Sequence, residues 1–411
     1  MKKFSKFLVC ATVAVSMIIS LYGCDAIFLS QSSDNSSESD SSGSSASAGN
    51  NTFEQKITGT LNVTVHEAGA DAIGSTDLTD TLDRIRPSVV EVYATVTNGT
   101  SCGSGVIFDI EDADQNGTKD YAYIVTCHHV IDGSTCVTVK TIYGKEYEAY
   151  LIGSDPNSDI GVMCIKATDD NNLDNLTYAT WCKDSDNLKI GTDVVAIGNP
   201  LGYLGGTVTK GIISAINRDV SVEGKEMNLI QTDAAINGGN SGGGLFTTTG
   251  YLVGIVNAGY DSSDAQGLSF AIPANDVKEI KTKLLNTYGG TYDYGYVEGN
   301  YKLGADFSLV QYGFRDYGVA VSDIDEYGAF YRAGLRVYDI IETISINDKS
   351  ISITDISSYS VTNLENFLSG ITCSVGDEMT VKYLKRSSSG SYSESTIKFD
   401  IPQYVYGYSG S

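Results

Sequence analysis

The chain has 411 residues and a formal net charge of −24, from 51 acidic and 27 basic side chains. That balance excludes a nucleic-acid partner, because phosphate binding needs clustered Lys and Arg, while a hydrophobic share of 41% is enough for packed cores. The length suits two or three domains, and 27 tyrosines beside a single tryptophan, with many Val, Ile and Thr, favour strands.

Residues 1–23 read as an export signal. Lys2, Lys3 and Lys6 form a basic end, an apolar run follows, and then comes Gly23–Cys24. The competing reading is a retained membrane helix. "LYGC" resembles the bacterial lipobox, which implies that Cys24 is lipidated and anchors the chain on the extracytoplasmic face of a bacterial cell membrane. Two acyl chains suffice for stable anchoring. The stretch 24–76, with "QSSDNSSESDSSGSSASAGNN" at its start, has no apolar period and reads as a solvated tether. The later cysteines, Cys102, Cys127, Cys136, Cys164, Cys182 and Cys373, form no CxxC pair, which argues against zinc. Export permits disulfides, but apolar strand surroundings favour free thiols.

Residues 77–288 form the next unit. "STDLTDTLDRIRPSVVEVYATV" starts with helical spacing and turns to strand alternation after Pro87. Two series of short strands follow, one from "GSGVIFDI" to "IGVMCIKA" and one from "DVVAIGNP" to "GLSFAIP". Such spacing predicts two small antiparallel barrels. "ANDVKEIKTKLLNTYGG" reads as a closing helix, residues 289–299 as a linker, and 300–405 as a small α+β domain. In the last, "VTNLENFLSGI" puts Leu364 and Leu368 on one helical face. "DADQNGTKD" places Asp112, Asp114, Asn116, Gly117 and Asp120 like the start of a calcium loop. Tyr123 stands where its bidentate Glu belongs, so a plain hairpin loop is expected.

"AAINGGNSGGGLF" crowds five glycines around Ser241. Glycine is useful where backbone must approach a ligand closely, so Ser241 is a candidate nucleophile in need of a base. Of three histidines, His66 lies ahead of the first barrel and reads as exposed and idle. His128 and His129 end an apolar strand, where neighbours face opposite ways, so one of them faces Ser241. Asp155 and Asp159 are candidate orienting acids, and Asp159 directly opens an apolar strand. "GNSGG" also fits the nucleophile elbow of α/β-hydrolases, but those enzymes place the histidine after the serine. Here every histidine precedes Ser241. The order His, Asp, Ser is that of chymotrypsin-like double barrels.

On these motifs the chain resembles the HtrA (DegP-like) family of serine proteases. "YIVTCHHVI", "SDIGVMCIK", "GNPLGYLGGTVTKGIISAINR", "IQTDAAINGGNSGGGLF" and "GLSFAIP" carry the resemblance over roughly residues 77–403. It implies a mainly β protein, a chymotrypsin-like double β-barrel followed by an α+β PDZ domain. It implies catalysis by His129, Asp159 and Ser241, an oxyanion hole from the N–H groups of Gly239 and Ser241, and no cofactor or metal. The specificity pocket of that fold would be walled by Ala235, Ile236 and Asn237 and by Ile255, Val256 and Asn257. These walls carry no carboxylate and imply cleavage after aliphatic residues. Leu303, Gly304 and Ala305 fall where the PDZ loop receives a peptide's carboxylate. The implied partners are unfolded or misfolded exported polypeptides, C-terminal peptides and further copies in a homotrimer. A peptide-binding chaperone or scaffold with an unused protease site is the alternative.

Overall fold

The computed structural model describes residues 61–406 except 62, 68–76, 97–98, 114, 169–171, 200–201, 203–204, 223–224, 260–267, 313–315 and 354–359. The leader, Cys24 and the tether up to residue 60 lie outside the described residues.

Helix α1 (Leu78–Ile85) starts where Asp77 accepts the Thr79 N–H, and Pro87 marks the turn into the first strand. The first barrel uses β1 (Val89–Val96), β2 (Gly99–Glu111), β3 (Tyr121–Cys127), β4 (Ser134–Lys140), β5 (Glu146–Asp155) and β6 (Ile160–Lys166). It closes in the order β1-β2-β3-β6-β5-β4. β3 and β6 carry nearly unbroken apolar runs and are buried along almost their whole length. Between β3 and β4 lies a single helical turn, α2 (His128–Ile131).

The second unit starts with β7 (Thr180–Trp181) and β8 (Asp193–Gly198), then β9 (Thr207–Val222) and β10 (Lys225–Thr232). It ends with β11 (Gly244–Thr247), β12 (Tyr251–Gly259) and β13 (Ser269–Pro273). Its order is β11-β8-β9-β10-β13-β12, with β7 parallel to β12. Pairing of β11 with β12 closes this ring too. Helix α3 (Ala274–Thr287) then packs on the first barrel through Val277 and Leu284.

The C-terminal module contains β14 (Ala305–Gln311), β15 (Tyr317–Ile324), α4 (Ala329–Ala333) and β16 (Ile340–Ile346). It continues with β17 (Lys349–Ser352), α5 (Ser360–Gly370), β18 (Glu378–Arg386) and β19 (Tyr392–Asp400). Its sheet runs β14-β15-β16-β18-β19, with β17 on β16, over a core that includes Val319, Phe330, Leu364 and Val381. The protein is therefore mainly β, two barrels and a small α+β module. The DADQNGTKD loop connects β2 to β3. Asp112 accepts the N–H groups of Asn116 and Gly117, and Asp120 accepts that of Ala113.

Three expectations change. The end of the tether is docked: Leu61 and Val63 pack on the first core, and the Thr64 N–H donates to Asp109. His66 is not idle. It bonds Asp109 at 2.8 Å and stacks on Tyr178 with ring centroids 3.7 Å apart. Beneath this clamp, burial pushes Lys281 down to about 8, with Asp109 opposing. The stretch expected to link the domains is also packed: Tyr294 and Val297 are buried in the first core, and the Gly295 N–H donates to the Ile152 carbonyl at 2.7 Å.

The C-terminal segment returns to the first barrel. Tyr404, Val405 and Tyr406 join its core, and the buried Tyr406 hydroxyl donates to the Ile131 carbonyl at 2.7 Å. The Tyr406 ring meets His128 edge-on at 5.1 Å. Tyr406→Phe should cost about 0.5–1.5 kcal/mol, because the Ile131 carbonyl loses one of two donors and keeps the Ser134 hydroxyl. Tyr406→Ala should cost about 3–5 kcal/mol for the emptied volume. Denaturant unfolding of both variants checks the ranking.

Candidate active site

Strand register explains why distant residues meet. Cys127, the last residue of β3, pairs with Ile160, the first of β6, and Ile160 pairs with Asp155. The chain leaving β3 therefore lies beside the turn entering β6, and Asp159 faces the start of α2. Asp159 has φ +54°, a left-handed conformation that Asp tolerates better than most residues. Its own carbonyl accepts the His128 N–H at 3.1 Å. Its carboxylate accepts the His129 N–H at 2.9 Å and bonds His129 Nδ1 at 2.8 Å.

The two histidines separate by a helical turn and not by strand alternation, because β3 ends at Cys127. His129 keeps a third of its side chain exposed. His128 is buried, with Nδ1 on the Ser154 hydroxyl at 2.8 Å and its ring against Tyr406. Asp155, the other acid considered, caps Ser158 and accepts the Asn300 amide at 2.7 Å. The geometry thus pairs His129 with Asp159.

Burial alone would raise the Asp159 pKa. The attraction of His129, the hydrogen bonds from its ring and backbone, and the charge of His128 outweigh burial and hold the carboxyl below its usual range. Asp159 is thereby kept as an ion that fixes the imidazole with Nδ1 toward it, leaving Nε2 as the basic nitrogen.

Ser241 sits on the turn before β11. The Ser104 N–H of β2 donates to the Ser241 carbonyl, and the Ser104 hydroxyl donates to the Gly239 carbonyl, both at 2.8 Å. The Gly242 N–H donates to Val256 on β12. Gly242 has φ +84°, and a Cβ there would stand 2.1 Å from the Ser104 carbonyl. Gly239 has φ +95°. The glycine-rich sequence is thus what allows the loop to lie flat between the two barrels.

One site residue was assigned the wrong task in the sequence. Asn257 was expected to line the specificity pocket, but its buried side-chain amide donates to the Asp159 carboxylate at 2.6 Å. Its backbone carbonyl accepts the Ser241 hydroxyl at 2.8 Å. It therefore touches both Asp159 and Ser241. No local pattern signals this contact, since 98 residues separate Asn257 from Asp159. The other pocket walls also change. Ile255 and Val256 point into the cores on opposite sides of β12, and only Ala235, Ile236 and Asn237 present surface. In the C-terminal module, the carbonyls of Leu303 and Gly304 accept the N–H groups of Phe330 and Asp325, while Ala305 opens β14. Leu364 is fully buried in the module's core, leaving Phe367 and Leu368 half-buried on α5.

Two closed barrels with a serine, a histidine and an aspartate at their seam define a trypsin-like peptidase fold. Residues 103–255 match the model of the trypsin-like peptidase domain. The chain is 32% identical over 349 residues to the serine protease Do-like HtrB of Bacillus subtilis, covering 77% of this chain and 70% of that one. To Do-like HtrA of the same organism it is 36% identical over 315 residues, covering 73% and 63%. To the periplasmic serine endoprotease DegP of Escherichia coli it is 38% identical over 258 residues, covering 61% and 49%. The chain belongs to the HtrA (Do-like) serine protease family, and its matches span about half to 70% of these relatives' lengths.

Removing the Asn257 side chain should lower kcat with little change in KM, since its amide holds the acid and not the substrate. A hydrogen bond to a charged group is worth about 1.5–3 kcal/mol, so Asn257→Ala should lose about 10- to 100-fold in kcat. Steady-state kinetics on labelled, unfolded casein measures the split, and a loss confined to KM would show that Asn257 contacts substrate instead.

Proposed function

We propose that the protein is an extracytoplasmic serine endopeptidase, anchored to the membrane through Cys24, that degrades or processes unfolded exported polypeptides. The observation that supports this reading is the run of contacts from His129 through Asp159 and Asn257 to Ser241, with Ser104 holding the Gly239 carbonyl. The family membership supports it, and the periplasmic place named for DegP supports an extracytoplasmic one.

At rest the Ser241 hydroxyl is directed to Asn257. In the proposed reaction it rotates toward His129, attacks the substrate carbonyl and passes its proton to His129 Nε2. The new oxyanion is received by the N–H groups of Gly239 and Ser241, and loss of one such donor costs about 10²–10³ in rate. His129 then gives the proton to the leaving amine, and water repeats the sequence on the acyl-enzyme. Ala235, Ile236 and Asn237 leave the remaining pocket wall without a carboxylate, which supports cleavage after small or medium aliphatic residues. No cofactor or metal enters these steps. A homotrimer is the proposed assembly.

Active-site labelling with a fluorophosphonate tests the reading. The parent protein should label, Ser241→Ala should not, and His129→Ala should lose about 10⁴-fold or more in turnover. His128→Ala should lose stability, through Ser154 and Tyr406, before it loses turnover per folded molecule. An unlabelled, well-folded parent that still binds unfolded polypeptide would instead mark a scaffold.

The C-terminal module is proposed to be a PDZ domain that captures peptide C-termini. β14 is an edge strand, α5 packs beside it, and the loop at Leu303–Ala305 opens onto the same edge. Adding a strand to this edge is the expected binding mode. Peptides with a free apolar C-terminus should bind the full chain carrying Ser241→Ala, and amidation of that carboxylate should weaken binding at least about tenfold, the usual worth of a charge-assisted hydrogen bond. Equal binding of free and amidated peptides would remove the loop from the site.

A further inference from the structure

The sequence around the catalytic histidine contains a thiol whose place becomes clear only in the fold. Cys127 ends β3 immediately before α2, is fully buried, and directs Sγ toward the Val256 carbonyl at 3.3 Å. One ligand atom each from Cys127, His129 and Asp159 lies within 4.8 Å of the others. These three residues are not close in a CxxC pattern, which is why cysteine spacing argued against zinc. Strand pairing brings them together, since Cys127 is opposite Ile160, the neighbour of Asp159.

We infer that Cys127, His129 and Asp159 form an inhibitory site for a thiophilic divalent cation such as Zn²⁺, whose binding turns the protease off reversibly. The donor set suits zinc, which takes thiolate, imidazole and carboxylate ligands and tetrahedral geometry. Bond lengths of about 2.0–2.3 Å put tetrahedral ligands about 3.3–3.6 Å apart, so small side-chain rotations from the present arrangement close the site. Charge balances as well. The thiol releases its proton to solvent on binding, and thiolate and Asp159 together neutralise the dication while the imidazole stays neutral. His129 keeps a third of its side chain exposed, which leaves the ion a route in from solvent, and zinc's fourth ligand would be water. Asn257, bonded to Asp159, also buries an amide oxygen that has no partner among the described residues.

Inhibition follows from the ligands. A cation on Nε2 occupies the lone pair that would take the Ser241 proton. A cation on Nδ1 displaces that proton to Nε2 and removes Asp159 from the ring, so the base is lost either way. The inhibitory half rests on His129 being the catalytic base, whereas the binding half rests only on the geometry.

The two halves separate experimentally. In the Ser241→Ala protein, Cd²⁺ should produce a thiolate-to-metal charge-transfer band that is smaller by one thiolate in Ser241→Ala/Cys127→Ala. Adding His129→Ala to the Ser241→Ala protein should weaken the binding at least about tenfold, as even outer-sphere losses do. In the active protein, buffered Zn²⁺ should inhibit casein cleavage, EDTA should restore it, and Cys127→Ala should raise the half-inhibiting concentration at least about tenfold relative to its own metal-free rate. If Cys127→Ala unfolds, Cys127→Ser keeps the size and hydrogen-bonding group while removing the soft ligand. An unchanged Cd²⁺ band, or equal Zn²⁺ sensitivity with and without Cys127, overturns the site. Cd²⁺ binding at Cys127 with full protease activity in Zn²⁺ overturns the switch alone.

Discussion

One buried carboxylate organises the active centre. Asp159 receives the ring and backbone N–H of His129 and the amide of Asn257, while its carbonyl holds the His128 N–H. A buried, unpaired carboxylate would be costly, and here the donors overcome the burial that would otherwise neutralise it. The left-handed backbone of Asp159 is held by the same contacts, because strain of this kind persists only where the surroundings over-determine it. Asp159, His129 and the turn bearing His129 thus form one hydrogen-bonded unit.

Ser241 joins that unit through the second barrel. Ser241 is carried by the loop before β11, but its carbonyl and that of Gly239 are held by Ser104 from the first barrel. The Ser104 carbonyl in turn accepts the Thr126 hydroxyl, one residue before Cys127, and the Ser104 hydroxyl accepts the Asn199 N–H from beyond β8. Asn257 completes the seam from β12. The geometry around Ser241, His129 and Asp159 is therefore a property of the interface between the barrels, and neither barrel alone holds all its parts.

The barrels and their order were legible because strand periodicity and turn residues are local signals. So were Ser241, whose flanking glycines state a backbone requirement, and the His, Asp, Ser order. What escaped the sequence depends on long-range packing. Strand alternation explained the two histidines wrongly, since the helical turn begins at His128 because Asp159 takes its N–H. His66 looked idle because its partner Asp109 lies 43 residues away, inside a strand. Ile255 and Val256 looked like pocket walls because hydrophobic side chains serve cores and pockets alike, and only burial separates the two uses. The stretch at 289–299 looked like a linker because Tyr and Gly do not reveal which core they enter.

The C-terminal module contacts the hydrogen-bonded unit around Asp159 at both of its ends. Tyr406 bonds Ile131 and presses on His128, at the far end and the first residue of α2. Asn300 bonds Asp155, at the other end of the short turn that carries Asp159. Gln403 and Arg332 secure the returning segment to the module: Gln403 donates to the Val297 and Asn300 carbonyls, and Arg332 to the Gln403 carbonyl. The neutral Tyr406 bond is worth about 0.5–1.5 kcal/mol net, and the Asn300 bond to a carboxylate about 1.5–3 kcal/mol. Two bonds and an aromatic contact thus tie the module to the elements that carry His129 and Asp159. Residues 404–406 meet Ile131 and His128, the two ends of the helical turn that holds His129. The module is thus built onto the turn that carries His129, from the same side as His128.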